Sequence, residues 1–152
     1  MNSSKKLKTL NPDLHFKLLK TIENKPSISQ RELAKELGVS SYRGSEFDVL
    51  DRFYQSVKDK SPYLVVRVTS DCSLIDPHLV DNVIEMAIRS NKDYCSNTLI
   101  ENYPDGQDIE VFKFSALKKA WKSANLKSER EHVTPYIIKN SDFKGGRLFS
   151  AT

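Results

Sequence analysis

The sequence predicts an α/β protein with a small helical appendage at its N-terminus, and three observations carry that reading. Residues 63–77, YLVVRVTSDCSLIDP, set a short apolar run of Leu64, Val65, Val66 and Val68 directly before an acidic turn and a helix start. Such β-branched runs fit a parallel strand covered on both faces. The stretches on either side repeat apolar residues at helical spacing, as with Leu50, Phe53 and Val57 before the strand and Val80, Val83, Ile84 and Ala87 after it. Charge then divides the chain. Residues 1–40 carry eight Lys/Arg against four Asp/Glu, whereas residues 41–152 carry sixteen of each, so the net charge of +4 resides in the first quarter. The expected organisation is a helical segment over 1–40 and an α/β domain over 41–152.

A chain of 152 residues, 38% hydrophobic and 29% charged, suffices for one globular domain with a small appendage. No apolar run reaches the length of a membrane span, and residues 1–13 lack the apolar core of a signal peptide, so a cytoplasmic protein without a membrane partner is expected. Cys72 and Cys95 match no zinc spacing and form no secreted disulfide framework; they read as small buried thiols.

In chain order, Leu14, Leu18, Leu19 and Ile22 place apolar groups on one face of a helix over 13–24, which Lys25-Pro26 ends. Ser29-Gln30-Arg31-Glu32 is a capping box opening a second helix, with Leu33 and Leu37 inward and Gly38 as its C-cap. Ser45-Glu46-Phe47-Asp48 is a further capping signature for a helix over 45–60. After the strand, Asp76-Pro77 is an N-cap followed by proline at the first helical position, opening a helix over 77–89. A short strand over 93–96, a turn-rich loop over 97–107 containing Pro104-Asp105-Gly106, and an alternating strand over 109–114 follow. Ser115 is expected to cap a helix to Ala124, with Trp121 in its buried stripe. Ser128-Glu129-Arg130-Glu131 is expected to cap a last helix reaching Asn140, and the tail SDFKGGRLFSAT shows only a Gly-Gly break.

Three blocks, VRVTSDCSLIDP, SNTLIENYPDGQDIEVF and SEREHVTPYI, fall in unbroken order between about residues 42 and 137. They resemble the cytidylyltransferases of the spore-coat polysaccharide type, homologous to CMP-Kdo synthetases. The resemblance implies a partial nucleotidyltransferase sheet, Rossmann-like and of GT-A type, with flanking helices. It also implies transfer of a cytidylyl group from CTP to a sugar or sugar acid with a magnesium ion. Residues 11–40 separately resemble the opening of MarR-like winged helix-turn-helix regulators, which would make DNA a partner. The same helix at 29–39 also suits the helix that precedes the YRGS-type stretch in cytidylyltransferases, and the two readings stand side by side. Against DNA recognition, Gly44, Glu46, Asp48 and Asp51 occupy the place where a basic recognition helix would stand.

Asp71, where the chain leaves the strand, matches the metal-binding aspartate of the family it resembles, and its place suits that role, because carboxyl ends of strands face the ligand crevice in open α/β sheets and magnesium takes hard oxygen donors. The arginine fork of Arg67 suits a phosphate or sugar carboxylate, or a salt bridge to a neighbouring acid. The resemblance assigns Asn97, Asp105, Asp108 and Glu110 to sugar recognition, with Arg130 and His132 able to reach the acceptor sugar. Glu110 stands out, since an acid inside an apolar strand needs a reason. No residue is singled out as the catalytic group. The family's glycine- and arginine-containing triphosphate loop has no counterpart in residues 1–41, where no glycine precedes Gly38, and its C-terminal metal carboxylate is not found. Weak or absent turnover by the chain alone is therefore expected, together with self-association through an open sheet edge.

Overall fold

The computed structural model describes residues 12–72, 75–98, 103–140 and 145–147. It divides into two compact units, Met1–Arg43 and Gly44–Thr152. The first holds α1 (Pro12–Asn24) and α2 (Gln30–Leu37). Ser29 and Glu32 form the expected capping box, and Gly38 closes α2 at φ 68°, a left-handed conformation that glycine adopts without strain. The apolar face expected on α1 divides: Leu14 and Leu18 are half-buried, whereas Leu19 and Ile22 are exposed.

The second unit contains α3 (Val49–Val57), β1 (Leu64–Arg67), α4 (Pro77–Ser90), β2 (Tyr94–Ser96), β3 (Glu110–Lys113), α5 (Phe114–Ser123), α6 (Lys127–His132), α7 (Pro135–Lys139) and β4 (Gly145–Arg147). The sheet order is β1-β3-β2-β4. β3 pairs antiparallel with both β1 and β2, and β2–β4 is the parallel pair.

This corrects the expectation for the valine-rich run. β1 is antiparallel to its neighbour and lies at an edge of the sheet among the described residues, with Val66 and Val68 exposed rather than covered. A continuous apolar run does not by itself reveal strand direction or neighbours.

Strand alternation builds two cores. Val65, Phe112 and Tyr94 point to one face, where Leu50, Leu117, Ala120, Val133 and Ile137 meet them. Val111 and Cys95 point to the other, against Leu79, Val83, Ala87 and Ile109. α4 therefore covers one face, and α3, α5 and α7 cover the other. Both cysteines are buried and free.

Several boundaries move for local reasons. α3 starts at Val49, capped by Asp48, whose Oδ1 accepts from the Asp51 amide at 2.9 Å; Ser45 instead caps the turn before it, accepting from the Phe47 and Asp48 amides at 3.2 Å. α5 starts at Phe114 without a side-chain cap, so Ser115 lies inside the helix. The last expected helix breaks in two at Val133, which adopts φ 74°, and Pro135 then stands at the first position of α7, where a missing amide hydrogen costs nothing. The Gly-Gly pair, poor in β propensity, supports a strand that the sequence did not announce.

Candidate functional site

Beyond the carboxyl end of β1 the chain turns at Asp71, and the 105–108 turn lies against it. A Cβ placed on Gly106 would stand 3.8 Å from the Asp71 carbonyl oxygen, and Cys72 Sγ lies 3.8 Å from the Asp108 carbonyl oxygen. Gly106 adopts φ 82°, which explains a glycine after Asp105, whose Oδ1 accepts from the Gly106 amide at 3.0 Å. Asp71, Asp105 and Asp108 are all exposed and gather at this one corner.

Their electrostatics differ. A hydrogen bond from the Thr69 hydroxyl to Asp71 Oδ1 holds the Asp71 carboxyl below its ordinary range, aided by its backbone, Cys72 and Arg67. Partial burial pushes the Asp108 carboxyl up, and the carboxylates of Asp105, Asp71 and Glu110 add to the push. An acidic corner of this kind, only partly offset by Arg67, attracts cations. Among the described residues, however, no group of three or more His, Cys, Asp or Glu side chains could hold a metal by itself. The donors fit a magnesium ion that arrives with phosphate oxygens and takes one or two protein carboxylates, and do not form a closed all-protein cage.

Arg67 and Glu110 stand opposite each other where β1 and β3 pair, and the two side chains form an ion pair. Glu110 has its reason for lying in an apolar strand: it also accepts from the Tyr94 hydroxyl at 2.8 Å and the Thr134 hydroxyl at 2.7 Å. Burial, then the Glu110 charge, pushes the Tyr94 hydroxyl far up, so it stays a donor.

Asn97 is buried and clamps the loop, giving its Nδ2 to the Gln107 carbonyl at 2.8 Å and accepting from the Ile109 amide at 2.9 Å. Arg130 is engaged on α3, where Nε and Nη2 reach Asp48 Oδ2 at 3.1 and 2.5 Å and Nη1 reaches the Trp121 carbonyl at 2.8 Å. Trp121 in turn donates to Asp51 at 2.7 Å and stacks on Tyr54 at 4.1 Å between ring centres. His132 is exposed in the last turn of α6.

The structure thus brings Asp71, Asp105, Asp108, Arg67 and Glu110 to one corner of the sheet, while Asn97 and Arg130 serve internal hydrogen bonds. Sequence reasoning did not name Thr69, Tyr94 or Thr134. Thr69 carried a signal, two residues before Asp71; Tyr94 and Thr134 reach Glu110 through the fold and left none. The middle of the expected sugar loop, residues 99–102, lies outside the described residues.

A mixed sheet with helices on both faces defines the second unit as an α/β domain with carboxylates clustered past a strand end. A cytidylyltransferase family profile matches residues 25–148. The solved structure of a cytidylyltransferase from Leptospira borgpetersenii superposes with a TM-score of 0.71 at 33% identity, covering 78% of this chain and 51% of that one. An uncharacterized protein, MJ1063, from Methanocaldococcus jannaschii is 49% identical over 72% of this chain and 44% of its own length. The spore coat polysaccharide biosynthesis protein SpsF of Bacillus subtilis is 36% identical over 66% of this chain and 41% of its own length. The chain belongs to the cytidylyltransferase family. It spans about half the length of the relatives it matches. The family match begins before residue 42 and takes in α2.

Proposed function

We propose that this chain carries the sugar side and one metal carboxylate of a CTP-dependent cytidylyltransferase site, acting in the cytoplasm on the sugar nucleotides of surface-polysaccharide biosynthesis. The observation that carries the reading is Asp71, an exposed carboxylate beyond the end of β1 in a chain of this family, with Asp105 and Asp108 beside it. In this reading Asp71 holds the magnesium ion that arrives with CTP. When bound, such an ion neutralises phosphate charge and orients the triphosphate. Asp105 and Asp108 accept hydrogen bonds from sugar hydroxyls, Arg67 faces an anionic group, and His132 is assigned to the acceptor sugar by the family resemblance alone. Asn97 and Arg130 contribute by holding the loop and α6 in place.

Residues 1–41 contain no counterpart of the family's triphosphate loop. Because a cradle of amides and cations supplies most of the rate in phosphoryl-type transfer, the chain alone should bind CTP weakly and turn it over little. Calorimetric titration of the full chain with CTP, with and without magnesium, tests this alongside pyrophosphate release in the presence of sugar acids. Expected are weak magnesium-dependent binding, its loss in Asp71→Asn, and little pyrophosphate. Robust turnover would overturn the low-activity reading, and no magnesium-dependent binding would overturn the assignment of Asp71.

A DNA-associated role for residues 11–40 is the alternative, and salt-sensitive retardation of duplex DNA by the full chain is the result it requires. Self-association would proceed through the outer edge of β1, which has no strand partner among the described residues.

A further inference from the structure

Glu110 is a buried carboxylate whose two oxygens are shared among donors from three separate elements. Oε1 accepts from Tyr94 on β2 at 2.8 Å and from Thr134, at the corner between α6 and α7, at 2.7 Å. Oε2 accepts from Nη1 of Arg67 on β1. The corner that delivers Thr134 is strained, since Val133 is β-branched, fully buried and at φ 74°. A buried ion pair is a poor device for stability alone, because desolvation of the charges offsets much of their attraction. What such an arrangement does well is fix the direction of a side chain.

The side chain it fixes is Arg67. Its guanidinium carbon lies 5.9 Å from the Phe53 ring centre, and the side chain is 20% exposed. With Nη1 given to Glu110, Nε and Nη2 have no acceptor among the described residues. Those two nitrogens form the side edge of the guanidinium, the fork that matches a carboxylate or phosphate with two parallel hydrogen bonds. Arg67 is the last residue of β1, and Asp71 lies in the turn just beyond.

We propose that Glu110 is a positioning residue: held by Tyr94 and Thr134, it locks the Arg67 guanidinium so that Nε and Nη2 form a preset fork for a substrate oxyanion, a phosphate or a sugar carboxylate. The inference rests on the reading that the Asp71 corner is the substrate crevice. Its own content is that Glu110 acts through Arg67 and not by touching substrate.

The test is calorimetric titration of the full chain with inorganic pyrophosphate, D-gluconate and D-glucose in the absence of metal, for wild type, Arg67→Met, Glu110→Gln and the double variant. Glucose controls for binding that needs no anion. Arg67→Met and Glu110→Gln should each weaken oxyanion binding about tenfold, the usual scale for hydrogen bonds to a charged group. In the Arg67→Met background, Glu110→Gln should cause no further loss. Loss confined to pyrophosphate identifies a phosphate subsite, loss confined to gluconate identifies a carboxylate subsite, and either supports the inference. Tyr94→Phe and Thr134→Ala, which keep the ion pair and remove one donor each, should give smaller losses, and they stand in if Glu110→Gln does not fold. A readout without ligand is the ¹⁵N spectrum of the Arg67 guanidinium, whose separate Nη signals should merge in Glu110→Gln as rotation about the Nε–Cζ bond is freed.

Wild-type affinity in the Glu110, Tyr94 and Thr134 variants would overturn the inference, as would losses that simply multiply in the double variant, or a wild-type chain that binds neither anion. Magnesium-dependent CTP binding that is lost in Asp71→Asn would survive each of these results, so the two readings fail separately.

Discussion

Two carboxylates near the same end of the sheet, Glu110 and Asp71, differ in almost every physical respect. Glu110 is buried and bonded to three donors, one of them Thr134 at the α6–α7 corner. Asp71 is exposed, held by a neighbouring hydroxyl, and faces other acids. A buried charge that is fully partnered is committed to shape, because its desolvation has already been offset inside the protein. An exposed charge among like charges has its stabilising partner still to come. In the proposed reading, the contrast separates a residue that builds the corner from a residue left to meet a ligand there.

The largest expected effect breaks this comparison at its buried end. Glu110→Ala leaves the largely buried Arg67 side chain without its counter-charge, and removal of one partner of such a pair costs on the order of 3–5 kcal/mol. Thermal unfolding should show a large drop in Tm for Glu110→Ala and scarcely any for Asp71→Ala, although only the latter removes the proposed metal ligand. Equal shifts would abolish the distinction. A middle-sized effect is expected for Asn97→Ala. It strips the buried Ile109 amide of its acceptor and should cost about 1–3 kcal/mol in denaturant unfolding without touching either carboxylate.

How much of this was legible in the residues depends on whether a signal was local. The capping box at Ser29, the Asp76-Pro77 helix start and the turn at Asp105-Gly106 are local chemistry, and the structure reproduces all three. Asp71 could be placed past a strand end because a strand, a turn and a helix cap follow one another within fifteen residues. The direction of β1 could not be read, because an apolar run fixes burial more than partners, and even its burial is incomplete at Val66 and Val68. Tyr94 and Thr134 lie 16 and 24 residues from Glu110 and meet it only once β2, β3 and the α6–α7 corner are assembled. Arg130 reads as free for substrate because its acceptor, Asp48, is 82 residues away and belongs locally to a capping signature. The family resemblance supplied what pattern alone could not, the grouping of distant blocks into one family's pattern.

The smallest effect sharpens the exposed end of the comparison. Asp71 and Asp108 are displaced in opposite directions, the first downward by the Thr69 hydroxyl and the second upward by partial burial and its acidic neighbours. Their contributions to stability therefore have opposite signs. Asp71, with its folded value below the unfolded one, stabilises above the ordinary carboxylate range, and that contribution is lost as pH falls through its lowered value. Asp108, with its folded value raised, favours the folded state at low pH, and that advantage disappears as pH rises through its raised value. At neutral pH Asp108→Asn should therefore raise stability, by only a few tenths of a kcal/mol because solvent screens an exposed group. The gain should vanish in acid, below the ordinary carboxylate range, where wild-type Asp108 is itself neutral. Melting curves of the variant and wild type across pH 3–7 measure the crossover. Magnesium added at pH 7 should close the gap, since a bound cation relieves in the wild type the same repulsion that the substitution removes. A gap indifferent to magnesium would mean that Asp108 lies outside the reach of the proposed ion, leaving Asp71 to hold it without help from the 105–108 turn.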